Sequence, residues 1–112
     1  MTPLGKNLEG GHMKKIEAIV RKEKFEEIYK VLEKSGIGGM TVTDAKGFGH
    51  HRNGLKEKVK IEIYVDEFQI EKVVEMIRRA AKTGMTGDGK IAILPLENIY
   101  RIRTGEDGAK AI

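Results

Sequence analysis

"EKVKIEIYVDEFQIEKVVEMIRRAAKTG", residues 57–84, changes its period in the middle. Up to Asp66 it alternates, Val59, Ile61, Ile63 and Val65 against Lys60, Glu62 and Tyr64, the two-residue repeat of a strand with one face on a core. Beyond Asp66, the residues Ile70, Val73, Val74, Ile77 and Ala81 recur at the spacing of one helical face, as far as Gly84. Asp66 stands three residues ahead of Gln69, a capping-box spacing that marks where strand gives way to helix. A strand running directly into a helix is half of a two-layer unit.

The other half lies upstream. "MKKIEAIVRK", residues 13–22, sets Ile16, Ala18 and Val20 against Lys15, Glu17 and Ile19 and predicts a first strand. "EKFEEIYKVLEKSG", residues 23–36, puts Phe25, Ile28, Tyr29 and Leu32 on one helical face, with Gly36 placed to stop the helix. "GMTVTDAKGFG", residues 39–49, is a β-branched run that breaks at Gly47 and Gly49. "KIAILPLENIYRIRTGE", residues 90–106, predicts a last buried strand ending near Pro95 and a short extended return through Arg101 and Arg103. The order strand, helix, strand, strand, helix, strand predicts a ferredoxin-like α+β sandwich, βαββαβ, with both helices on one sheet face. Ile19 and Tyr64 fall on the opposite face, which a monomer would leave wet, so an oligomer is expected.

A chain of 112 residues suits one core, and residues 13–112 are read as a single domain. "MTPLGKNLEGGH", residues 1–12, lacks periodicity and reads as a vector-derived leader or tag. With 39% hydrophobic and 34% charged residues, the composition excludes a disordered chain. Apolar runs are too short for membrane insertion, and with no export signal the cytoplasm is the expected compartment; zero cysteines exclude disulfides and thiolate metal sites and leave the compartment open. A net charge of +4 is compatible with an anionic partner and is also what a charged, solvated surface gives.

"TGMTGDGKIAILP", residues 83–95, places three glycines and Lys90 at the mouth of the last strand. Glycines let successive backbone N–H groups turn toward an anion, and the ammonium of Lys90 would add charge, so Gly87, Asp88, Gly89 and Lys90 suit a polyphosphate. The pattern is not a Walker A loop, since Ile91 stands where Ser or Thr is needed; by itself it equally describes a turn between helix and strand. Arg101 and Arg103, two residues apart on the expected extended return with no acid at strand spacing, are suited to bidentate phosphate contacts.

Together "TGDGKI", "RIRTGE", "MKKIEAIV", "GMTV" and "KGFG" make the chain, from Met13 to Ile112, resemble the PII signal-transduction family. The resemblance implies a cytoplasmic homotrimer with ATP and ADP competing for clefts between subunits. It carries the family's phosphate contacts onto Gly87, Gly89 and Lys90, with Asp88 in the same loop, and onto Arg101 and Arg103 reaching from a neighbouring subunit. Adenine and ribose contacts fall on Ile19, Thr41, Gly47, Gly49, Glu62 and Tyr64, the last replacing a small aliphatic residue. Lys58 matches the lysine that pairs with 2-oxoglutarate in sensing members. His51 stands where those members carry a glutamine that helps hold 2-oxoglutarate and magnesium, a departure that weakens that expectation. Ala92 replaces an aromatic residue and is read as core-facing.

The resemblance also implies an effector loop, here cut to about residues 47–58, naturally or by engineering. Between Gly49 and Lys58 there is no Tyr, Ser or Thr, so covalent modification there is not expected. Family partners include ammonium channels, transporters and metabolic enzymes. The alternative is a trimeric metal-binding or scaffold relative, with His50 and His51 gathering around a threefold axis. Nucleic-acid binding on the open face is disfavoured by only three Phe and three Tyr. Enzymatic work is not expected beyond a weak ATPase, since no nucleophile stands beside a base.

Overall fold

Four strands and two helices arise where the two periodicities place them. The computed structural model describes residues 13–50, 52 and 54–112; the leader read at residues 1–12 and His51 lie outside them. Strand β1 (Met13–Arg21) leads through a short 3₁₀ turn into α1 (Phe25–Glu33), followed by β2 (Thr41–Gly47) and β3 (Lys56–Asp66). Then come α2 (Glu67–Ala81), β4 (Gly89–Pro95) and a 3₁₀ turn at Gly108–Ala111. The sheet is antiparallel in the order β2-β3-β1-β4, which is the ferredoxin-like arrangement.

Alternation decides the faces. Ile16, Ala18 and Val20 of β1 and Val59, Ile61, Ile63 and Val65 of β3 point into the core, where they meet Ile28 and Leu32 of α1 and Val73, Ile77 and Ala81 of α2. Gln69 accepts the Asp66 N–H at 3.1 Å, closing the capping box where β3 turns into α2. After α1, Gly36 takes a left-handed φ of 84°, as a stop requires. The helices are tied together by Lys72, whose Nζ donates to the Ser35 carbonyl at 2.6 Å. Among the described residues no helix is long and apolar enough to cross a membrane.

Three local expectations are corrected. The last strand is not buried: β4 is an edge strand, and Ile93 and Leu94 remain 47% and 38% exposed because only one neighbour, β1, flanks it. Ala92 does not face the core either. It pairs with Glu17 on the open face, while Ile91 beside it packs inward. Arg101 and Arg103 do not lie on an extended segment. The chain bends back between Tyr100 and Asp107, with Gly105 N–H on the Arg101 carbonyl and Arg101 N–H on the Glu106 carbonyl, both at 2.8 Å. Gly105, at φ 74°, makes that bend possible, and the bend brings Glu106 to 3.6 Å from the Arg101 guanidinium.

Candidate functional site

The glycine loop between α2 and β4 is organised by one carboxylate. Asp88 accepts the N–H groups of Thr83 and Gly84, each at 2.9 Å, and the Thr83 hydroxyl. A fourth donor comes from the far side of the chain, Arg21 Nε at 3.1 Å. The Thr83 hydroxyl first, then these N–H groups and the guanidinium, hold the Asp88 carboxyl well below the usual carboxylate range. Gly84, Gly87 and Gly89 take φ of 86°, 100° and 104°, values that let the loop wrap a single acceptor.

At Gly89 there is also no room for a side chain. A Cβ there would lie 1.8 Å from the Ile19 carbonyl oxygen, because the loop enters β4 pressed against β1. Lys90 follows, opposite Ile19 in the register, exposed and making no ion pair or side-chain hydrogen bond with another described residue.

The base-side candidates gather on the open face of the sheet. Thr41 pairs with Glu62, and Ile19 lies between Lys60 and Lys90. Thr41, Glu62 and Tyr64 line a hollow of about 280 Å³ that is completed by Gly38, Gly39 and Ile112. Glu62 is bound by Lys15, which lowers the Glu62 carboxyl and raises the Lys15 ammonium relative to their ordinary values. The wet face expected from the sequence is present: Tyr64 is 44% exposed and Ile19 is half-buried.

The remaining candidates do not join them in a single hollow. Gly47, Gly49, Lys58 and Gly87 line a groove of about 570 Å³ at the base of the β2–β3 connection, with Arg21 and Phe48. Asp88, Gly89 and Lys90 edge a third, of about 430 Å³, between α2 and β4. Arg101 is held by Glu106 and by the Ile112 carbonyl oxygen at 3.2 Å, and Arg103 is exposed in the bend. Within one chain the candidate contacts thus fall into three separate part-sites.

In the β2–β3 connection Arg52 N–H bonds the Gly49 carbonyl at 3.1 Å, and the Arg52 guanidinium lies 5.3 Å from the Phe48 ring centre. His50 is exposed beside it, and among the described residues no group of three His, Asp or Glu side chains is placed to hold a metal. Arg21 went unread in the sequence. No local signal marks it, since its partner Asp88 is 67 residues away and only the β1–β4 register, ending at Val20 and Gly89, brings the two together.

Residues 13–106 match the family model described as nitrogen regulatory protein P-II. The nitrogen regulatory protein P-II of Azospirillum brasilense is 44% identical over 112 residues, covering 89% of this chain and all of that protein. The protein of the same name from Synechocystis sp. is likewise 44% identical, with the same coverage. Among solved structures, Arabidopsis thaliana PII bound to citrate superposes with a TM-score of 0.82 at 42% identity, covering 96% of this chain and 99% of that one.

Proposed function

This chain belongs to the nitrogen regulatory protein P-II family, and from that premise we propose that it is a homotrimeric regulator that binds ATP or ADP in clefts between its subunits. The observation that carries the reading is the Asp88-held glycine loop, with Lys90 exposed and unpaired among the described residues beside it. A loop held by four donors on one carboxylate loses little further freedom on binding, which suits a phosphate chain.

The division of the candidate residues among three part-sites supports a cleft completed by a second subunit. In that cleft Gly87, Gly89 and Lys90 receive the phosphates, with magnesium where the nucleotide carries it. Thr41, Glu62 and Tyr64, with Ile19, Gly47 and Gly49, take the nucleoside. Arg101 and Arg103 come from the neighbour, and Arg101 has to leave Glu106 to do so.

The occupant sets the conformation of residues 47–58, which report it to a partner protein such as a channel, transporter or metabolic enzyme in the cytoplasm. The protein acts as a regulator rather than an enzyme. The bond from Arg52 N–H to the Gly49 carbonyl supports a short effector loop. A further acidic effector such as 2-oxoglutarate has to take Lys58 from its bond to the Gly87 carbonyl, 2.7 Å long.

Calorimetric titration of ATP with magnesium tests the reading. Lys90→Ala removes a charge-assisted contact worth roughly 1.5–3 kcal/mol, so ATP should bind about tenfold to a hundredfold more weakly while the oligomer persists. Unchanged affinity in the variant would remove Lys90 from the site. A wild-type protein that takes up neither ATP nor ADP would reduce the glycine loop to a turn.

A further inference from the structure

Two cations that belong to different strands grip consecutive carbonyls of the glycine loop. Arg21, at the end of β1, donates from Nη2 to the Thr86 carbonyl at 2.6 Å, and Lys58, near the start of β3, donates from Nζ to the Gly87 carbonyl at 2.7 Å. All described peptide bonds here are trans. In a trans peptide the C=O and the following N–H point in opposite directions. Fixing the Thr86 and Gly87 carbonyls toward β1 and β3 therefore turns the N–H groups of Gly87 and Asp88 away from them.

Neither of these N–H groups is donated to a described residue. Two adjacent, outward-facing and unspent donors are what an anion nest consists of. Gly87 permits the arrangement twice over. Its φ of 100° belongs to the left-handed region, and a Cβ on it would come within 3.1 Å of Arg21 Nη2.

Arg21 is anchored for this role, because its Nε also binds Asp88 at 3.1 Å and its side chain is only 24% exposed. One guanidinium thus holds a carbonyl and the carboxylate that organises the rest of the loop.

We infer that Arg21 and Lys58 are positioning residues of the phosphate loop, which preset the Gly87 and Asp88 peptide planes so that their N–H groups meet a nucleotide's phosphates. The inference rests on the reading that phosphates bind this loop, and it names the residues that set the geometry.

Arg21→Met, Lys58→Met and Arg21→Lys test this by two measurements. In the ligand-free protein, the Gly87 and Asp88 amide resonances should move in both Met variants and return toward wild type in Arg21→Lys. By calorimetry, both Met variants should bind ATP about tenfold more weakly, with adenosine affinity within about twofold of wild type. A cation that only attracted the phosphates would leave the free-protein amides in place, and that result overturns the inference. Parallel loss of adenosine and ATP also overturns it, since the damage would then not be specific to the phosphate loop. If wild type binds no ATP, the nucleotide reading fails separately, and the amide resonances alone decide whether Arg21 and Lys58 orient the loop.

Discussion

Gly89 and Asp88 do unlike work in adjacent positions. Gly89 is required by space, since its Cα is pressed against the Ile19 carbonyl and a methyl group could be admitted only by parting β1 from β4. Gly89→Ala should therefore cost about 2–4 kcal/mol of stability, read as a shift in the denaturation midpoint. Gly84→Ala meets nothing within 4 Å and should cost only the left-handed backbone penalty, about 1–2 kcal/mol. If the two cost the same, the close approach is not what selects glycine at 89. Asp88 is required by charge. Its carboxyl is depressed in the fold, so its stabilisation of the loop is complete above the ordinary aspartate value and is lost only as pH falls through the lower, folded one. An NMR titration should accordingly show no transition of the Thr83 and Gly84 amides near pH ~4, where an unperturbed aspartate titrates. A transition at that pH would mean that Asp88 does not hold the loop.

At the scale of elements, the helical layer is joined by more than apolar contact. The segment after α1 brings Ser35 to 5% exposure, where its backbone carbonyl needs a partner; α2 supplies it through Lys72. The Ser35 hydroxyl in turn donates to the Leu32 carbonyl at 2.6 Å, satisfying an oxygen in the last turn of α1. Lys72→Met keeps the apolar stem and removes the donor, and should lower stability by about 1–2 kcal/mol in thermal unfolding, with nucleotide binding unaffected. A wild-type melting temperature in that variant would show that water replaces the ammonium at no cost.

The molecule as a whole has one covered face and one open face. On the open face Tyr64 and Leu94 are exposed beside Ile19 and Ala92, and the charges among them are largely self-paired, Lys15 with Glu62 and Glu17, Lys60 with Glu17. A face whose charges are neutralised internally and whose apolar residues remain wet is suited to burial against further copies. Leu94→Lys places an unpaired charge on that face and should shift the sedimentation mass from trimer toward monomer; on the proposed reading that ATP sits between subunits, its binding should fall at the same time. A variant that stays trimeric would place the subunit contacts elsewhere.

Periodicity by itself determined the layer architecture, because burial of one face acts on every second residue of a strand and on every third or fourth of a helix, and both repeats are written along the chain. The capping box at Asp66 and the stop at Gly36 were legible for the same reason: each depends on neighbours a few residues away. The glycine loop could be located but not interpreted, since whether it is a turn or a nest depends on where its carbonyls point. Their direction is set by Arg21 and Lys58, which lie 65 and 29 residues from the carbonyls they hold. Exposure of β4 and of Ala92 was likewise settled only by strand order, because an apolar run reads the same at the edge of a sheet as at its centre. The bend at Arg101 needed the Tyr100–Asp107 pairing and the left-handed Gly105, and it replaced two parallel guanidinium groups with one paired to Glu106 and one exposed. Local spacing carries information about local burial; the direction of a peptide plane is set by atoms that only the assembled sheet brings near it.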